Sequence, residues 1–316
     1  MYQFMKNRQY FNFLSILLMV SSIIILSVKG LNYGVDFKGG TLIQVKYLDK
    51  KAPLQEVREI FENNKNFKSP SITKFGNDYE MTIKTIIVNQ KLNQNINTTI
   101  YEILKKTGKI SIERVDMVGA KVGSELRDNG LLALSLSLLA IFIYLFFRFE
   151  VIFSISAILP LFHDVLITLG IISLLNIEVN LDVLAAVLTI IGYSLNDTII
   201  IFDRIREFIT SSKEKVLTTI IDNSINSTLS RTLITSLTTL FVVGSLTIFG
   251  SKIIFPFAIT LFIGIIIGTY SSIYVAASSL ISFKFNIIKF RNHLEEKERN
   301  RREREKNRAL YENGVI

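Results

Sequence analysis

The chain has 316 residues, of which 49% are hydrophobic and 20% are charged, and its mean hydropathy of +0.39 is too high for an ordinary water-soluble protein. It contains no cysteine and two histidines, which excludes disulfides and thiol chemistry and leaves few side chains for a metal site, so we expect no bound metal or cofactor. The formal charge of +9 owes much to the tail after Phe283, where ten Lys and Arg face six Glu, and this uneven distribution favours orientation in a membrane over nucleic-acid binding.

Six apolar segments predict transmembrane helices, because about 18 or more residues at 1.5 Å each are needed to cross roughly 30 Å of hydrocarbon. The first segment follows Lys6 and Arg8 and resembles a signal peptide. No small-residue cleavage site follows it, so we expect an uncleaved anchor. The predicted spans are residues 11–28, 130–147, 151–175, 183–202, 230–249 and 253–283.

The residues between the first two spans, 29–129, predict a small extracytoplasmic α+β domain. The segment "TLIQVKY" alternates like a strand, apolar residues between Leu54 and Phe61 recur at helical spacing, and "GND" separates two strand-like segments. Residues 93–106 predict a second helix and "KISIERV" predicts a last strand. This order of strands and helices is ferredoxin-like, and about 100 residues suffice for an independent core.

The basic residues near the span ends predict the orientation of the chain. They occur in the N-terminal residues 1–10, at Arg148 after the second span, in the loop 203–229 and in the tail 284–316, all on one side of six spans. The short loops on the other side, "NIEVNL" and "GSK", carry a single Lys. Both termini are therefore predicted to be cytoplasmic, with the ferredoxin-like domain outside, because a long loop can translocate regardless of its charge.

Asp197 lies within the fourth predicted span, roughly 21 Å from its outer end and about 8 Å from its inner end. A charged Asp at that depth costs about 2.5 kcal/mol or more, so it should face protein or a wet cavity. Tyr193 and Ser194, one turn earlier, are expected to hydrogen-bond to it, and Asn196 to support it as a polar neighbour. Gly192 is expected to let another helix approach closely.

Further polar residues are expected near Asp197. His163 and Asp164 follow Pro160 in the third span, where a proline frees a backbone carbonyl and bends a helix. Arg231 begins the fifth span among hydroxyl side chains, and an Arg at that depth needs a carboxylate, for which Asp197 is the natural partner. Asp197, Arg231, Asp164 and His163 are thus predicted to form a polar chain across the bundle, as proton-coupled transporters require.

Each of these residues also has a structural interpretation. Asp197 would join helices by hydrogen bonds alone, and Arg231 would anchor its span at the lipid headgroups. His163 and Asp164 would pair with each other or with the carbonyl freed by the proline. The segment "GIIIG" in the sixth span predicts a helix-packing face, and the mixed charges of the tail predict a solvated helix.

No enzyme signature is visible, since the chain lacks the motifs "GxxxxGK", "HExxH" and "GxSxG". The chain is therefore predicted not to be an enzyme, and any work must draw on a source other than ATP bound by this chain. The membrane potential is one such source, because moving one charge through 100 mV yields about 2.3 kcal/mol.

Four segments resemble the SecF family of the bacterial Sec protein-export machinery. They are "GLNYGVDFKGGT", "VGAKVGSELRDNGLLAL", "AAVLTIIGYSLNDTIIIFDRIRE" and "NSTLSRT". They occur in the family's order and among six spans, so the resemblance covers nearly the whole chain. Ala120 departs from the "VGP" that the family more often has, which affects only the turn before the second span.

The resemblance implies half of a resistance-nodulation-division (RND) type bundle, completed to twelve helices by a SecD-like subunit. It assigns the proton pathway to the Asp of "SLND" and the Arg of "SRT", here Asp197 and Arg231, with a further Asp from the SecD-like subunit. The implied role is to use the proton-motive force to draw preproteins through the SecYEG channel on the outer side of the bacterial inner membrane. The resemblance also implies contacts with YajC, YidC, the translocating preprotein and membrane lipids.

Other functions remain open. A half-subunit of an RND-type small-molecule proton antiporter would have a larger external domain with an apolar cleft. An intramembrane aspartyl protease would need a second Asp and a "GxGD" pattern, whereas Asp197 follows "GYSLN". A non-motor scaffold of the translocon would not need Asp197 to titrate.

Overall fold

The first apolar segment forms a continuous helix that leads into the external domain. The computed structural model describes residues 2–87, 96–251 and 253–312. After a 3-10 turn at Phe4–Asn7, helix α1 spans Arg8–Lys29. A two-residue strand, β1 (Asn32–Tyr33), and a single helical turn, α2 (Val35–Lys38), connect α1 to the domain.

The external domain is a four-stranded antiparallel sheet packed against two helices. The strand order β3, β4, β2, β5 confirms the predicted ferredoxin-like topology. Ile43 and Val45 of β2 pack in its core with Val57 and Phe61 of α3, because alternate strand residues face the helices. Residues 93–95, predicted to begin the second helix, lie outside the described residues. The elements are β2 (Gly40–Tyr47), α3 (Leu54–Glu62), β3 (Phe67–Lys74), β4 (Glu80–Ile87), α4 (Ile96–Leu104) and β5 (Ile110–Val118).

The rest of the chain is an α-helical bundle, which confirms the predicted fold class. In the ranges that the structure describes, six helical segments are long and apolar enough to cross a membrane. They are α1, α5, α6, α7, α8 and the segment from α9 to α10, which a π turn at Ser272–Ala276 joins. The elements after the domain are α5 (Ala120–Arg148), α6 (Val151–Leu174), β6 (Glu178–Val179), α7 (Leu181–Ser211), α8 (Leu217–Phe249), α9 (Phe255–Ser271), α10 (Ala277–Ser282) and α11 (Ile287–Glu312).

Helices α6, α7 and α9 form the centre of the bundle, and α1, α5 and α8 lie at its periphery. The central helices are about half buried along their apolar stretches, whereas the peripheral helices are mostly exposed. The exposed side chains on the peripheral helices are large and apolar, as at Leu132 and Leu136 of α5 and Phe241 of α8. Such a surface needs lipid or another protein to cover it.

Three helices, α5, α7 and α8, are much longer than the predicted spans. Helix α7 continues to Ser211 and α8 begins at Leu217, so most of the predicted cytoplasmic loop 203–229 is helical. Ile205 and Ile221 in these extensions are buried in the core of the bundle. Hydropathy marks only the part of a helix that crosses lipid, and packing beyond that part decides where the helix ends.

The basic tail is attached to the end of α7. As predicted, the tail contains a long helix, α11. Arg291 near its start donates hydrogen bonds to the carbonyl oxygens of Ile209 at 2.6 Å and of Ser212 and Glu214 at 2.7 Å. These carbonyls lie at and just beyond the last turn of α7, where a cation is favoured. Lys252, predicted for a loop at the opposite end, lies outside the described residues.

The external domain is bonded to the end of the bundle at which α7 begins. Strand β1 pairs in parallel with β6, which directly precedes α7. The Leu181 backbone N–H donates to Asp36 Oδ2 at 3.1 Å, and Lys84 of β4 forms an ion pair with Glu178 of β6. Nothing in the sequence predicted this junction, because a two-residue strand leaves no periodic signal.

Candidate functional site

Asp197 lies on α7 at the interface with α8 and is only 1% exposed. Its Oδ1 atom has no hydrogen-bond partner among the described residues. Ser236 of α8 faces the carboxyl, and Arg231 of the same helix is close enough to act on it electrostatically. Because buried polar atoms nearly always have a partner, the free oxygen leaves Asp197 able to take a proton or a further donor.

Arg231 is exposed on the surface of α8. Within the part of the chain that the structure describes, it forms no direct ion pair with Asp197, so the structure brings the two residues near each other without joining them. An exposed Arg on an apolar helix surface is suited either to the lipid headgroups or to an acidic group on a second subunit. The predicted pairing with Asp197 therefore stays a prediction.

Asp164 is the centre of a second buried group, at the place where α6, α7 and α9 meet. Its Oδ2 atom accepts hydrogen bonds from Ser194 of α7 at 2.6 Å and from Ser271 of α9 at 2.7 Å. Its Oδ1 atom lies 2.8 Å from His163 Nδ1, so His163 and Asp164 pair with each other. The other ring nitrogen, His163 Nε2, has no partner in the described chain.

The end of α9 connects the two groups to the neighbouring helices. Four consecutive hydroxyl side chains each bond to a different part of the bundle, and the helix then changes to the π turn, a feature that is frequent at functional sites. The hydrogen bonds run from Thr269 to Ser236 (2.8 Å), from Tyr270 to the Phe11 carbonyl (2.7 Å), from Ser271 to Asp164 (2.7 Å) and from Ser272 to the Ser194 carbonyl (3.2 Å).

Two predicted neighbours of Asp197 bond elsewhere, so the expectation that they hydrogen-bond to it is wrong. Ser194 donates to Asp164, and the Tyr193 hydroxyl reaches α8, where it donates to the Thr235 carbonyl at 3.0 Å. A spacing of one turn places residues on a common helix face. It does not determine which neighbouring helix each side chain contacts.

The close approach of helices occurs at a different glycine from the one predicted. Gly192 and Asn196 are exposed, and among the described residues no atom lies within 4 Å of the position that a Gly192 Cβ would occupy, so no described helix of this chain packs closely there. A Cβ on Gly264 would instead lie 2.1 Å from Ile190 Cδ1. Gly264 and Gly268 therefore let α9 approach α7, as the segment "GIIIG" predicted.

Sequence reasoning missed the hydroxyl residues that surround the two acidic groups. Ser236, Thr269 and Ser271 all contact them, directly or through one bond. The run "TYSS" inside an apolar span was the available signal, because four adjacent hydroxyls there cannot all face lipid. Pro160 lies within α6 without ending it. The described residues contain no group of three or more His, Asp or Glu arranged to hold a metal ion.

Two family models match the chain. The model described as "Protein export membrane protein SecD/SecF, C-terminal" matches residues 98–286. The model "SecD/SecF GG Motif" matches residues 24–47, which include Gly39 and Gly40 at the junction with the bundle.

Relatives described as protein translocase subunit SecF match nearly the whole chain. The Helicobacter pylori subunit (strain ATCC 700392 / 26695) is 44% identical over 313 residues, covering 99% of this chain and 97% of its own. The Calditerrivibrio nitroreducens subunit is 47% identical over 287 residues, covering 89% and 93%. The Escherichia coli O157:H7 subunit is 36% identical over 280 residues, covering 88% and 86%.

Solved structures of SecDF share the fold. The crystal structure of SecDF from Thermus thermophilus, described as a translocon-associated membrane protein, gives a TM-score of 0.80 at 34% identity over 90% of this chain. The present chain spans 38% of that SecDF chain. A SecDF structure in a super-membrane-facing form gives a TM-score of 0.65 at 31% identity over 95% of this chain, which spans 40% of its length. The chain is a multi-pass membrane protein and belongs to the SecF family of protein translocase subunits.

Proposed function

We propose that this chain is the SecF-type half of a complex with a SecD-like subunit, and that the complex uses the proton-motive force to assist preproteins through the SecYEG channel on the outer side of the bacterial inner membrane. The observation that carries the proposal is Asp197, a buried carboxyl inside a membrane-spanning helix with one oxygen unbonded in the described chain. An ionisable group in that setting is a functional candidate by default.

A SecD-like subunit supplies the other half of the proposed proton path. Helices α5 and α8 expose large apolar side chains, and α8 also exposes Arg231 beside the Asp197 site. A partner packed on α8 would bury Arg231 and would place its own acidic group near Asp197. The match to SecDF chains of which this chain spans 38% and 40% supports such a second half.

Helix α7 links the proposed proton site to the external domain. Asp197 lies within this helix, and the first residue of the helix, Leu181, is hydrogen-bonded to Asp36 at the domain's base. The ion pair between Lys84 and Glu178 adds a second bond at the same place. A change in α7 on protonation would therefore reach the external domain, which would grip and release the emerging preprotein.

The remaining parts of the proposal rest on the charge pattern of the sequence and on what the family resemblance implies. Both termini are assigned to the cytoplasm, because the basic residues cluster at that end of the spans. The chain itself catalyses no chemical reaction and takes its energy from the proton gradient. YajC, YidC, the preprotein and membrane lipids are further partners.

The test replaces Asp197 with Asn in full complexes reconstituted in vesicles that carry a proton gradient. We expect preprotein transport to fall about tenfold or more, to the rate without a gradient, because Asn has the shape of Asp but does not ionise. Asp182→Asn is the matched control, since Asp182 is exposed in the first turn of the same helix. If Asp197→Asn transports as fast as the control variant, the relay is wrong and a non-motor scaffold is favoured.

A further inference from the structure

Asp164 differs from Asp197 in its hydrogen bonds, although both are buried acidic residues of the bundle. Asp164 is 1% exposed, and both of its carboxylate oxygens are bonded, to Ser194 and Ser271 on one side and to His163 on the other. One oxygen of Asp197 is free in the described chain. Each Asp164 oxygen thus has a hydrogen-bond partner at the place where three helices meet, whereas Asp197 has one oxygen open to a proton or a further donor.

We infer that Asp164 is a positioning residue that holds α6, α7 and α9 together and thereby fixes the groups around Asp197, without carrying a proton itself. We call Asp164, Ser194 and Ser271 the Asp164 clamp. The inference rests on the proposed function of Asp197, because it assigns Asp164 a role toward that residue. It replaces the sequence-based prediction that Asp164 belongs to the relay.

The clamp acts on the Asp197 site from two sides. On α7, Ser194 precedes Asp197 by three residues, so fixing one fixes the position of the other on a rigid helix. On α9, Ser271 is two residues after Thr269, which donates to Ser236 at 2.8 Å. Ser236 faces Asp197 from α8. The hydroxyl that faces the Asp197 carboxyl is therefore held in place through α9.

Gly268 allows the clamp to form. A Cβ at this position would lie 3.2 Å from the Ser194 Cβ and 3.5 Å from Asp164 Oδ2. With hydrogen in place of that carbon, α9 comes close enough for Ser271 to reach Asp164. The small residue and the carboxyl thus act at one place, where three helices meet.

Two substitutions separate positioning from proton transfer. In Asp164→Asn, the amide oxygen at the Oδ2 position still accepts from both serines, and the amide nitrogen donates to His163 Nδ1 when that ring carries its proton on Nε2. The Nε2 atom has no competing partner in the described residues. Asn therefore keeps the clamp but does not ionise, whereas Asp164→Ala removes the clamp.

The rate at which a buried cysteine is labelled measures whether the Asp164 clamp keeps the helices packed. The chain has no cysteine of its own, so it gives no background labelling. Thr232→Cys places a thiol on α8 four residues before Ser236, at a hydroxyl that is buried and has no partner in the described chain. Ser156→Cys is the matched control, because its hydroxyl is equally buried and unpartnered but lies on α6 two turns from Asp164. A membrane-permeant maleimide is added to membranes that contain the full complex.

We expect Asp164→Ala to speed labelling at Thr232→Cys by about fivefold or more, the effect of losing one hydrogen bond or more, and to leave Ser156→Cys unchanged. Asp164→Asn should label like the parent and keep most of the gradient-dependent transport, while Asp164→Ala loses it. The double variant Ser194→Ala/Ser271→Ala opens the same contact and decides the question if Asp164→Ala does not accumulate.

Three results would overturn the inference. In the first, Thr232→Cys is labelled no faster in Asp164→Ala or in Ser194→Ala/Ser271→Ala than in the parent. In the second, these variants speed labelling at Ser156→Cys as well as at Thr232→Cys. In the third, Asp164→Asn loses transport while its labelling at Thr232→Cys stays slow. The last result would make Asp164 a proton carrier. Labelling needs no proton gradient, so it tests the clamp even if Asp197→Asn shows that the proposed function is wrong.

Discussion

Gly264 lies where α9 packs so closely against α7 that there is no room for a single added carbon. In Gly264→Ala the new Cβ would lie 2.1 Å from Cδ1 and 2.3 Å from Cγ1 of Ile190, far inside van der Waals contact. Overpacking of this kind costs about 1–3 kcal/mol. The better helix propensity of Ala returns up to about 1 kcal/mol. We therefore expect Gly264→Ala to lower the free energy of unfolding by about 1–2 kcal/mol.

The assay is thermal unfolding of the purified membrane protein, followed by the loss of the folded peak in size-exclusion chromatography. Gly192→Ala is the matched control, because it adds the same carbon to α7 where no atom of the described residues lies within 4 Å. The control should be unchanged or slightly more stable, since it gains only helix propensity. The midpoint of Gly264→Ala should lie several degrees below that of the control.

A double-mutant cycle identifies the contact responsible. Ile190→Ala alone leaves a cavity and should destabilise the bundle, but it also removes the atoms that the methyl group added by Gly264→Ala would strike. The effects of Gly264→Ala and Ile190→Ala should therefore be less than additive, with a coupling of about 1 kcal/mol or more. If Gly264→Ala is as stable as Gly192→Ala, or if the two effects simply add, the close packing of α7 against α9 is refuted.

Two further predictions concern the external domain. Lys84→Glu should weaken the junction between this domain and the bundle by about 0.5–1 kcal/mol, and adding Glu178→Lys in the same chain should restore it. The rate of protease cleavage at the junction measures both effects. Equal cleavage of the single and the double variant would exclude the ion pair. The Lys51 and Lys74 ammonium groups lower the pKa of Asp78 from 3.8 to about 2, so this carboxyl stabilises the folded domain above about pH 4 and loses that effect as the pH falls through 2. Asp78→Asn should reduce the loss of folded domain between about pH 4 and pH 2 in an acid titration followed by circular dichroism. High salt should have the same effect on the parent, because it screens the charges. An unchanged titration of the variant would contradict the assignment.

The sequence predicted those parts of the fold that leave a periodic or compositional signal. The apolar runs gave the six spans, and the alternation in "TLIQVKY" with the turn at "GND" gave the ferredoxin-like order. The depth of Asp197 within its span correctly indicated a buried carboxyl. These inferences needed only the length of a helix or the period of a strand.

The contacts of the site were less predictable, because they depend on which helices meet. Ser194 was assigned to Asp197 by its spacing on one helix, but its hydroxyl bonds to Asp164 on another. Close packing was expected at Gly192 as well as in "GIIIG", yet among the described residues a neighbouring helix lies against Gly264 and none lies against Gly192. The packing of three helices decides both cases, and a single sequence contains no direct record of that packing.

Helix α7 is bonded at both of its ends, and this limits how the helix is able to move. Asp36 holds the first backbone N–H, and Arg291 holds carbonyl oxygens at and beyond the last turn, about 46 Å away. A translation along the helix axis would break the bonds at both ends together. A twist or a bend confined to the middle of the helix, near Asp197, would keep them. Motion coupled to protonation of Asp197 is therefore expected as torsion or bending of α7 between two fixed ends, and spin labels placed along the helix would record it as a change in direction with little change in height.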